Sequence, residues 1–258
     1  MRSSLAHLYV MTIAISRRGL VSLAGRSERR SALSSRTITT MRNHAIQAAR
    51  HEVIVSIDCD IICPPRTIEE HLRWFHISEH VASIGARRFV DTSALLTQDI
   101  LENINSALYL PTIRSISNTN TTSLTDKRLH EFAFIKQHPF PCNCFHGANV
   151  AYSRGDALAV GLWDETFNGN PNYEDIEFGQ RLWQSGIFLV YTSGATVLHQ
   201  ENRVVSLQQK QFGGAINRQL LFSKIPGLQE FRARLAAGQM EALESMAQFD
   251  PQNQWIAS

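Results

Sequence analysis

The sequence has no hydrophobic run long enough to cross a bilayer, which takes about 20 apolar residues. The apolar stretch near the start, Leu5–Ile15, is interrupted by His7 and Thr12. The chain also has no run of lysine or arginine, and its formal net charge is only +2. We therefore expect no transmembrane span and no nucleic-acid partner. The expected location is the cytoplasm, with peripheral association with a membrane left open.

Cysteine is scarce as well, with four residues in 258. Cys59 and Cys63 form a C-x3-C pair, and Cys142 and Cys144 form a C-x-C pair. Neither is a standard spacing for structural zinc, and a disulfide framework is typical of small, cysteine-dense secreted chains. Free thiols are the expected state.

Acidic residues are almost absent from the first fifty positions, which hold nine arginines and a single acid, Glu28. Such a composition is typical of transit peptides, but no convincing small-residue cleavage site follows. The first 36 residues also show no clean periodicity. We expect an atypical or disordered N-terminal segment over residues 1–40.

The length and the 43% of hydrophobic residues suffice for one sizeable α/β domain. Apolar spacing predicts helices over residues 37–50, 64–75, 97–110, 154–160 and 174–185. Strands are predicted over residues 53–57, 81–85, 145–152, 187–191 and 196–199. A polar loop is predicted over residues 115–125, and a helical tail is predicted from residue 204, with a break at Pro226-Gly227.

A buried strand and two carboxylates come together at Asp58. Val53–Ile57 is a β-branched run without alternation, which suits a central parallel strand covered on both faces. Ligands of open α/β sheets gather beyond the carboxyl ends of the strands, where Asp58-Cys59-Asp60 lies. Carboxylate oxygens suit Mg²⁺ or Mn²⁺, which keep open positions for phosphate oxygens. The D-x-D motif therefore predicts a divalent cation carrying a phosphate.

The stretch from Trp163 to Asn202 holds a second concentration of carboxylates, in a chain with only 19% charged residues. In one interpretation it is structural, because Asp164 and Glu165 end a turn and the dipole of a helix favours acids in its first turn. The acids concerned would be Glu174 and Asp175. In the other interpretation it forms an active site together with the upstream D-x-D motif.

His199 ends the last predicted strand, on the same expected sheet edge as Asp60. A lone histidine is more often a structural residue than a ligand, and the two interpretations are evenly matched at this position. An aspartate and a histidine together are a reasonable ligand set for Mn²⁺.

Several motifs follow one another in an order that resembles a known family. They are Asp58-Cys59-Asp60, Gly147-Ala148-Asn149 with Arg154, Gly161-Leu162-Trp163-Asp164-Glu165-x-Phe167, Tyr173-Glu174-Asp175-x-Glu177-x-x-x-Arg181-Leu182, Gly186 and His199-Gln200-Glu201. The combination resembles the GT-A glycosyltransferases of family 2 with a galactosyltransferase-type C-terminal segment. Chondroitin-polymerase-like domains and polypeptide N-acetylgalactosaminyltransferases share that segment. From Met41 to about Asn202, the resemblance implies an α/β fold with a Rossmann-like mixed sheet flanked by helices.

The resemblance also implies a role for each matching residue. Asp58 would contact the ribose or the metal shell of a nucleotide sugar, while Asp60 and His199 would bind Mn²⁺ or Mg²⁺ at the diphosphate. Glu174 would position the acceptor sugar, and Asp175 would be the general base of the transfer. The remaining candidates are Arg42 on the nucleotide side and, on the acceptor side, Gly147, Asn149 and Trp163, the last with a core role as its alternative.

These roles describe a metal-dependent hexosyl- or N-acetylhexosaminyltransferase of glycan biosynthesis. The donor would be a UDP-sugar, and the acceptor a saccharide or another hydroxyl-bearing molecule. Similarity to the chondroitin-polymerase type favours inversion, whereas the polypeptide-transferring relatives retain configuration. The expected parts are the segment 1–40, a GT-A domain over 41–203 and a helical tail over 204–258. Within that domain, the nucleotide and metal part would lie at about 41–90 and the acceptor part at about 140–203.

One departure from the family's pattern bears on activity. The family opens with a strand ending in proline and polar residues and a second strand ending in aspartate, and this pair is not found before Arg42. Arg42-Asn43-His44-Ala45 matches only the later R-N-x-G element, with alanine in place of glycine. The expectation is therefore that the N-terminal nucleotide half is either missing or altered, or that the start of the sequence is wrong. The alternative function is that of a truncated or degenerate protein that binds an acceptor or a partner without transfer.

A haloacid-dehalogenase-like phosphatase also carries a D-x-D motif at the end of a strand. That family expects threonine or valine two residues after the second aspartate, where this chain has Ile62. It also has no use for Glu174-Asp175 or His199. The phosphatase interpretation is therefore disfavoured.

Overall fold

A computed structural model describes residues 10–15, 21–24, 38–90, 92, 126, 128–170, 172–200 and 207–238, with the backbone alone for residues 10–15, 21–24 and 207–213. The described strands are β1 (Val10–Ile15), β2 (Val21–Ala24), β3 (Val53–Asp58), β4 (Ile61–Ile62), β5 (Val81–Val90), β6 (Asn149–Ser153) and β7 (Phe188–Gln200). The described α-helices are α1 (Ile38–Ala48), α2 (Thr67–Phe75), α3 (Leu129–Phe132), α4 (Arg154–Ala159), α5 (Glu174–Gln184), α6 (Leu207–Lys224) and α7 (Leu228–Ala236). Short 3-10 helices span Pro141–Cys144 and Glu165–Phe167.

The seven described strands form one sheet in the order β2-β1-β3-β6-β5-β7-β4. Strands β5 and β7 are parallel, and the other described neighbouring pairs are antiparallel. Helices flank this sheet, so the predicted α/β class with a mixed sheet is confirmed.

Strand β3 carries the D-x-D motif at its end and lies inside the sheet. Ile54 packs in the main hydrophobic core, whereas Val53, Val55 and Ile57 pack on the opposite face with Phe75 of α2. The predicted two-sided burial is therefore confirmed. The predicted parallel direction is wrong, because β3 runs antiparallel to both β1 and β6. A run of β-branched residues reports burial and carries no information about the direction of the neighbouring strands.

Strand β7 is continuous where two strands were predicted. Its register against β5 shifts between Gly85 and Arg87, which pair with Thr192 and Val197. Between these two pairs β5 has one residue, Ala86, and β7 has four, residues 193–196, so the extra residues of β7 form a bulge. The break predicted between residues 191 and 196 coincides with this bulge, which interrupts the apolar pattern without ending the strand.

Strands β1 and β2 lie in the segment to which the sequence analysis assigned no fold. They form an antiparallel pair, and β1 joins the sheet through β3. Their pairing partners lie far along the chain, so local periodicity did not reveal them. The predicted helix over 97–110, the loop over 115–125 and the tail beyond residue 238 lie outside the described residues.

Helices α6 and α7 form the described part of the predicted tail and meet around Pro226-Gly227, as expected. Their apolar faces join the main core through Leu221, Leu228 and Phe231. Asn217 of α6 donates hydrogen bonds to three backbone carbonyls of the loop that precedes α5. In the described part of the chain, no helix is both long and apolar enough to cross a membrane.

None of the four cysteines, all of which lie among the described residues, forms a disulfide. Cys59 is exposed and Cys63 is half-buried, whereas Cys142 and Cys144 are buried.

Candidate active site

The D-x-D motif and the predicted histidine meet at one edge of the sheet. Strand β3 ends at Asp58, and two residues later β4 pairs with β7 so that Ile61 lies opposite His199. The backbone carbonyl of Asp60 accepts a hydrogen bond from the amide of Gln200 at 2.9 Å. This pairing brings the Nε2 atom of His199 to 3.7 Å from the Oδ1 atom of Asp60.

This pair of side chains fits a divalent cation. The Oδ1 atom of Asp60 is buried and has no hydrogen-bond partner among the described residues. Adjacent ligands of an octahedral cation with bonds of about 2.1 Å lie about 3 Å apart, and the 3.7 Å spacing is close to that distance. Asp58 lies near enough to interact electrostatically with both residues. These donors are the oxygen and imidazole types that suit Mn²⁺.

The acid pair Glu174-Asp175 begins α5 after a strained turn. Asn172 and Tyr173 adopt φ values of 70° and 78°, in the left-handed region that side-chain-bearing residues rarely adopt. Asn217 of α6 holds the carbonyl of Asn172 at 3.0 Å. Strain of this kind persists only where the surroundings impose it, and it is frequent at functional sites. Here the turn determines where the two carboxylates point.

Asp175 is half-buried, and its carboxylate is held by backbone groups on both oxygens. Its Oδ1 atom accepts a hydrogen bond from the amide of Ile176 at 2.9 Å, and its Oδ2 atom accepts one from Gly147 at 3.1 Å. Hydrogen bonds to an ionised carboxylate are stronger than neutral ones. The two amides therefore orient Asp175 and stabilise its negative charge at the positive end of the α5 dipole.

Arg42 of α1 contacts both the acid pair, through Glu174, and the D-x-D motif, through Asp58. Its Nη1 atom donates to Oε1 of Glu174 at 3.0 Å, and its Nη2 atom to Oδ1 of Asp58 at 3.5 Å. The guanidinium carbon lies 4.3 Å from the ring centroid of Trp163. Because Arg42 is only 2% exposed, it offers no surface to a nucleotide, which corrects its assignment as a direct donor contact.

Burial and the adjacent charge of Asp175 raise the pKa of Glu174 from 4.5 to about 7, although Arg42 opposes the shift. An unfolded chain ionises this glutamate at lower pH than the folded protein does. The folded state should therefore lose stability as pH rises from 4.5 to about 7, by up to about 3 kcal/mol.

We expect Glu174→Gln to remove that pH-dependent loss. Urea denaturation of both proteins at pH 5 and pH 8 would measure it, and the stability of the variant relative to wild type should increase with pH. Parallel pH profiles for the two proteins would contradict the raised pKa of Glu174.

Trp163 is a core residue and presents no face to a sugar. It is 1% exposed, and its ring stacks on Phe178 with centroids 4.4 Å apart. Its indole nitrogen donates to the hydroxyl of Tyr152 at 3.3 Å. The core role that was the alternative for Trp163 is the one in the structure. Sequence pattern cannot separate a buried from an exposed tryptophan in a loop.

Asn149 was assigned to acceptor contact, and its burial corrects this assignment. Its side chain is 0% exposed and donates to the carbonyls of Ala86 and Ala195 at 3.1 and 2.7 Å. Its Oδ1 atom lies 3.0 Å from Nε2 of His71, and burial lowers the pKa of His71 to about 4. Asn149 therefore connects β6, β5 and β7, and also α2. Gly147, a buried neighbour, serves Asp175 through its backbone amide.

We expect Asn149→Ala to destabilise the protein by about 3 kcal/mol, because it removes the amide donor of two buried carbonyls and the partner of the Nε2 atom of His71. Urea denaturation monitored by circular dichroism would measure this change. Unchanged stability together with a raised acceptor KM would instead restore the acceptor-contact role.

Arg87 of β5 is a neighbour of the site that the sequence analysis missed. It lies near enough to Asp58 and Asp175 to interact electrostatically with both. Its Nη2 atom contacts Nδ1 of His146 at 2.9 Å. Burial and nearby arginines hold the pKa of His146 well below its usual value, so the neutral ring accepts this hydrogen bond. The sequence feature that could have identified Arg87 is the Arg87-Arg88 pair, which follows the strand predicted over residues 81–85.

A different buried group brings Glu131, His138 and Cys144 together, with possible ligand atoms within 4.8 Å of one another. The amide of Phe140 donates to Nδ1 of His138, so the proton lies on Nε2 and is donated to Glu131 at 3.0 Å. If Nε2 bound a metal, the proton of the neutral ring would have to lie on Nδ1. Nδ1 could then no longer accept the hydrogen bond from the amide of Phe140. Burial also raises the pKa of Cys144 well above its usual value. The group is therefore a structural hydrogen-bond network.

The mixed sheet flanked by helices is consistent with the GT-A fold. Residues 36–155 match the family model described as Glycosyl transferase family 2. This range includes Arg42, Asp58 and Asp60 and ends before Glu174.

Curated relatives extend the similarity further. The chain is 27% identical over 197 residues to a chondroitin synthase of Escherichia coli, covering 73% of this chain and 29% of that protein. It is 29% identical over 168 residues to a hyaluronan synthase of Pasteurella multocida, covering 62% and 17%. A chondroitin synthase of Pasteurella multocida strain Pm70 is 26% identical over 200 residues, covering 73% and 20%. The chain spans less than a third of the length of these relatives. Together the comparisons support a family 2 glycosyltransferase.

Proposed function

We propose that this protein is a metal-dependent glycosyltransferase that moves a sugar from a UDP-sugar to a hydroxyl of a saccharide acceptor, with inversion. The observation that carries the proposal is the convergence of the Asp60–His199 pair with Asp58, Arg42 and the acid pair. These side chains come from four separate parts of the chain. A donor and an acceptor that bind between these side chains would explain why they lie close together.

The metal-side residues would act on the leaving group. Asp60 and His199 would hold Mn²⁺ or Mg²⁺, which supplies charge neutralisation at the departing diphosphate. Asp58 would contact the ribose or the shell of the metal. Arg87 adds a fixed positive charge near Asp58.

The acid pair would act on the acceptor. Asp175 accepts the proton of the attacking hydroxyl on a carboxylate oxygen while the new glycosidic bond forms and the bond to the diphosphate breaks. The amides of Gly147 and Ile176 keep that carboxylate in place, so little reorganisation is needed during the reaction. Glu174, held by Arg42, positions the acceptor sugar.

The substrate class is supported by the names of the relatives, and inversion by a site with one carboxylate proposed as the base. Two are chondroitin synthases and one is a hyaluronan synthase, and no covalent glycosyl-enzyme is needed when one carboxylate acts as base. We therefore propose a growing polysaccharide or an oligosaccharide of that kind as the acceptor. The donor would be a UDP-hexose, a UDP-hexuronate or a UDP-N-acetylhexosamine.

Calorimetric titration of UDP, with and without Mn²⁺, would test the proposal first. We expect binding that depends on Mn²⁺, followed by transfer from at least one UDP-sugar of such a panel to chondroitin or hyaluronan oligosaccharides. Binding of oligosaccharide without any binding of UDP would favour the alternative, a protein that binds an acceptor without transfer.

A further inference from the structure

Arg42 is enclosed on both faces. One face of its guanidinium lies against the ring of Trp163, and the other lies against Gly147. A Cβ atom at Gly147 would come within 2.9 Å of Nη2, so any larger residue there would displace the guanidinium. The cation is therefore held in one place, 3% exposed, between two carboxylates of different elements, Asp58 and Glu174.

The two ion pairs of Arg42 are unequal. Glu174 lies at 3.0 Å and is 7% exposed, whereas Asp58 lies at 3.5 Å and is 28% exposed. A guanidinium presents its donors in a rigid planar fork, so an approach to one carboxylate changes its geometry toward the other. A buried cation also keeps at least one partner, because an unpaired charge in the interior is costly.

We infer that Arg42 is a positioning residue that couples the donor half of the site to the acceptor half. This inference rests on the proposed function, in which Asp58 faces the donor and Glu174 faces the acceptor. When a donor binds to Asp58, the ion pair between Asp58 and Arg42 weakens, and the guanidinium moves closer to Glu174. Glu174 is thereby held more firmly in position once the donor is in place. Loss of the Glu174 charge has the reverse effect and draws Arg42 onto Asp58.

This coupling predicts that a substitution at Glu174 changes the affinity for UDP, although Glu174 faces the acceptor. Glu174→Gln should weaken the binding of UDP with Mn²⁺ at least about fivefold, because Arg42 then competes with the donor for Asp58. In an Arg42→Lys background the same substitution should change UDP affinity by less than about twofold. Lysine is a point charge and does not span two carboxylates with a planar fork.

The experiment is a double-mutant cycle measured by calorimetry at pH 8, above the pKa of about 7 of Glu174, with UDP and Mn²⁺ on the wild type, Glu174→Gln, Arg42→Lys and the double variant. Glu177→Gln is the matched control. It is a buried glutamate of the same helix, 2.8 Å from its own partner Arg181, and its substitution should leave UDP affinity unchanged. Thermal unfolding of every variant checks that the proteins are folded. If Arg42→Lys is unfolded, Arg42→Gln combined with Glu174→Gln replaces the double variant and Arg42→Gln replaces the single one.

The possible results separate the inference from the function on which it rests. No Mn²⁺-dependent UDP binding by wild type would overturn the donor site itself. Binding by wild type with the same affinity in Glu174→Gln would overturn the coupling and leave the donor site intact. An equal loss in Glu174→Gln and Glu177→Gln would assign the effect to helix α5 in general and would also overturn the coupling.

Discussion

Asp175→Asn is expected to lower kcat by about 10²–10⁴-fold, the usual contribution of a general base. Asparagine keeps the size of the side chain but accepts no proton from the attacking hydroxyl. The affinity for UDP with Mn²⁺ should stay within about twofold of wild type, since Asp175 does not contact the metal pair. Initial rates of sugar transfer and calorimetry with UDP would measure the two quantities on the same preparations.

Asp175→Asn also changes the hydrogen bonds that Asp175 accepts from the backbone, so its effect on stability has to be controlled for. Both oxygens accept amide hydrogen bonds, and asparagine has one oxygen, so a stability loss of about 1 kcal/mol is expected. Glu177→Gln controls for the loss of a carboxylate in the same helix and should keep kcat. Turnover retained by Asp175→Asn would exclude Asp175 as the base and transfer that role to another group, with Glu174 the first to test.

Asp60→Ala is expected to weaken UDP binding about tenfold or more when Mn²⁺ is present and to leave metal-free binding unchanged. Loss of residues that only support a metal ligand already costs about 10–100-fold in affinity, and loss of a ligand costs at least as much. The buried Oδ1 atom of Asp60, 3.7 Å from His199, is the structural basis of this prediction. Calorimetry with UDP in Mn²⁺ and in a chelator would measure both values.

His199→Ala should reproduce the effect of Asp60→Ala, and the two losses should not add, because either substitution dismantles the same ion site. Glu69→Ala on α2 is the matched control, since its carboxylate is 61% exposed and pairs only locally with Arg66. Equal UDP affinity of Asp60→Ala and wild type in Mn²⁺ would show that the metal site lies elsewhere.

Helix positions were predictable from the sequence because they follow from local periodicity. Helices α1, α4 and α5 begin and end within two residues of the predicted limits. Strand directions were not predictable in the same way, and β3 proved to be antiparallel to both of its neighbours. A strand's direction depends on which distant segment pairs with it, and that choice is made by the packing of the whole sheet.

The candidate site residues differ in burial. The sequence analysis treated Trp163, Asn149 and Arg42 as ligand contacts, and all three are at most 2% exposed. Arg42 contacts Asp58 and Glu174, whereas Trp163 and Asn149 hold the surrounding elements together. A motif records which residues occur together, and it does not distinguish the residue that touches a ligand from the one that positions it.

The sequence alone determined the α/β class, the acid pair at a helix start and the resemblance to family 2 glycosyltransferases, and it predicted a metal site at the D-x-D motif. Each of these depends on residue type and short spacing. Only the tertiary structure decided that His199 lies beside Asp60, and that Arg42 lies between Asp58 and Glu174. Those contacts join residues separated by 16 to 139 positions. Sheet pairing and core packing bring such residues together, and neither is encoded in any local stretch of the chain.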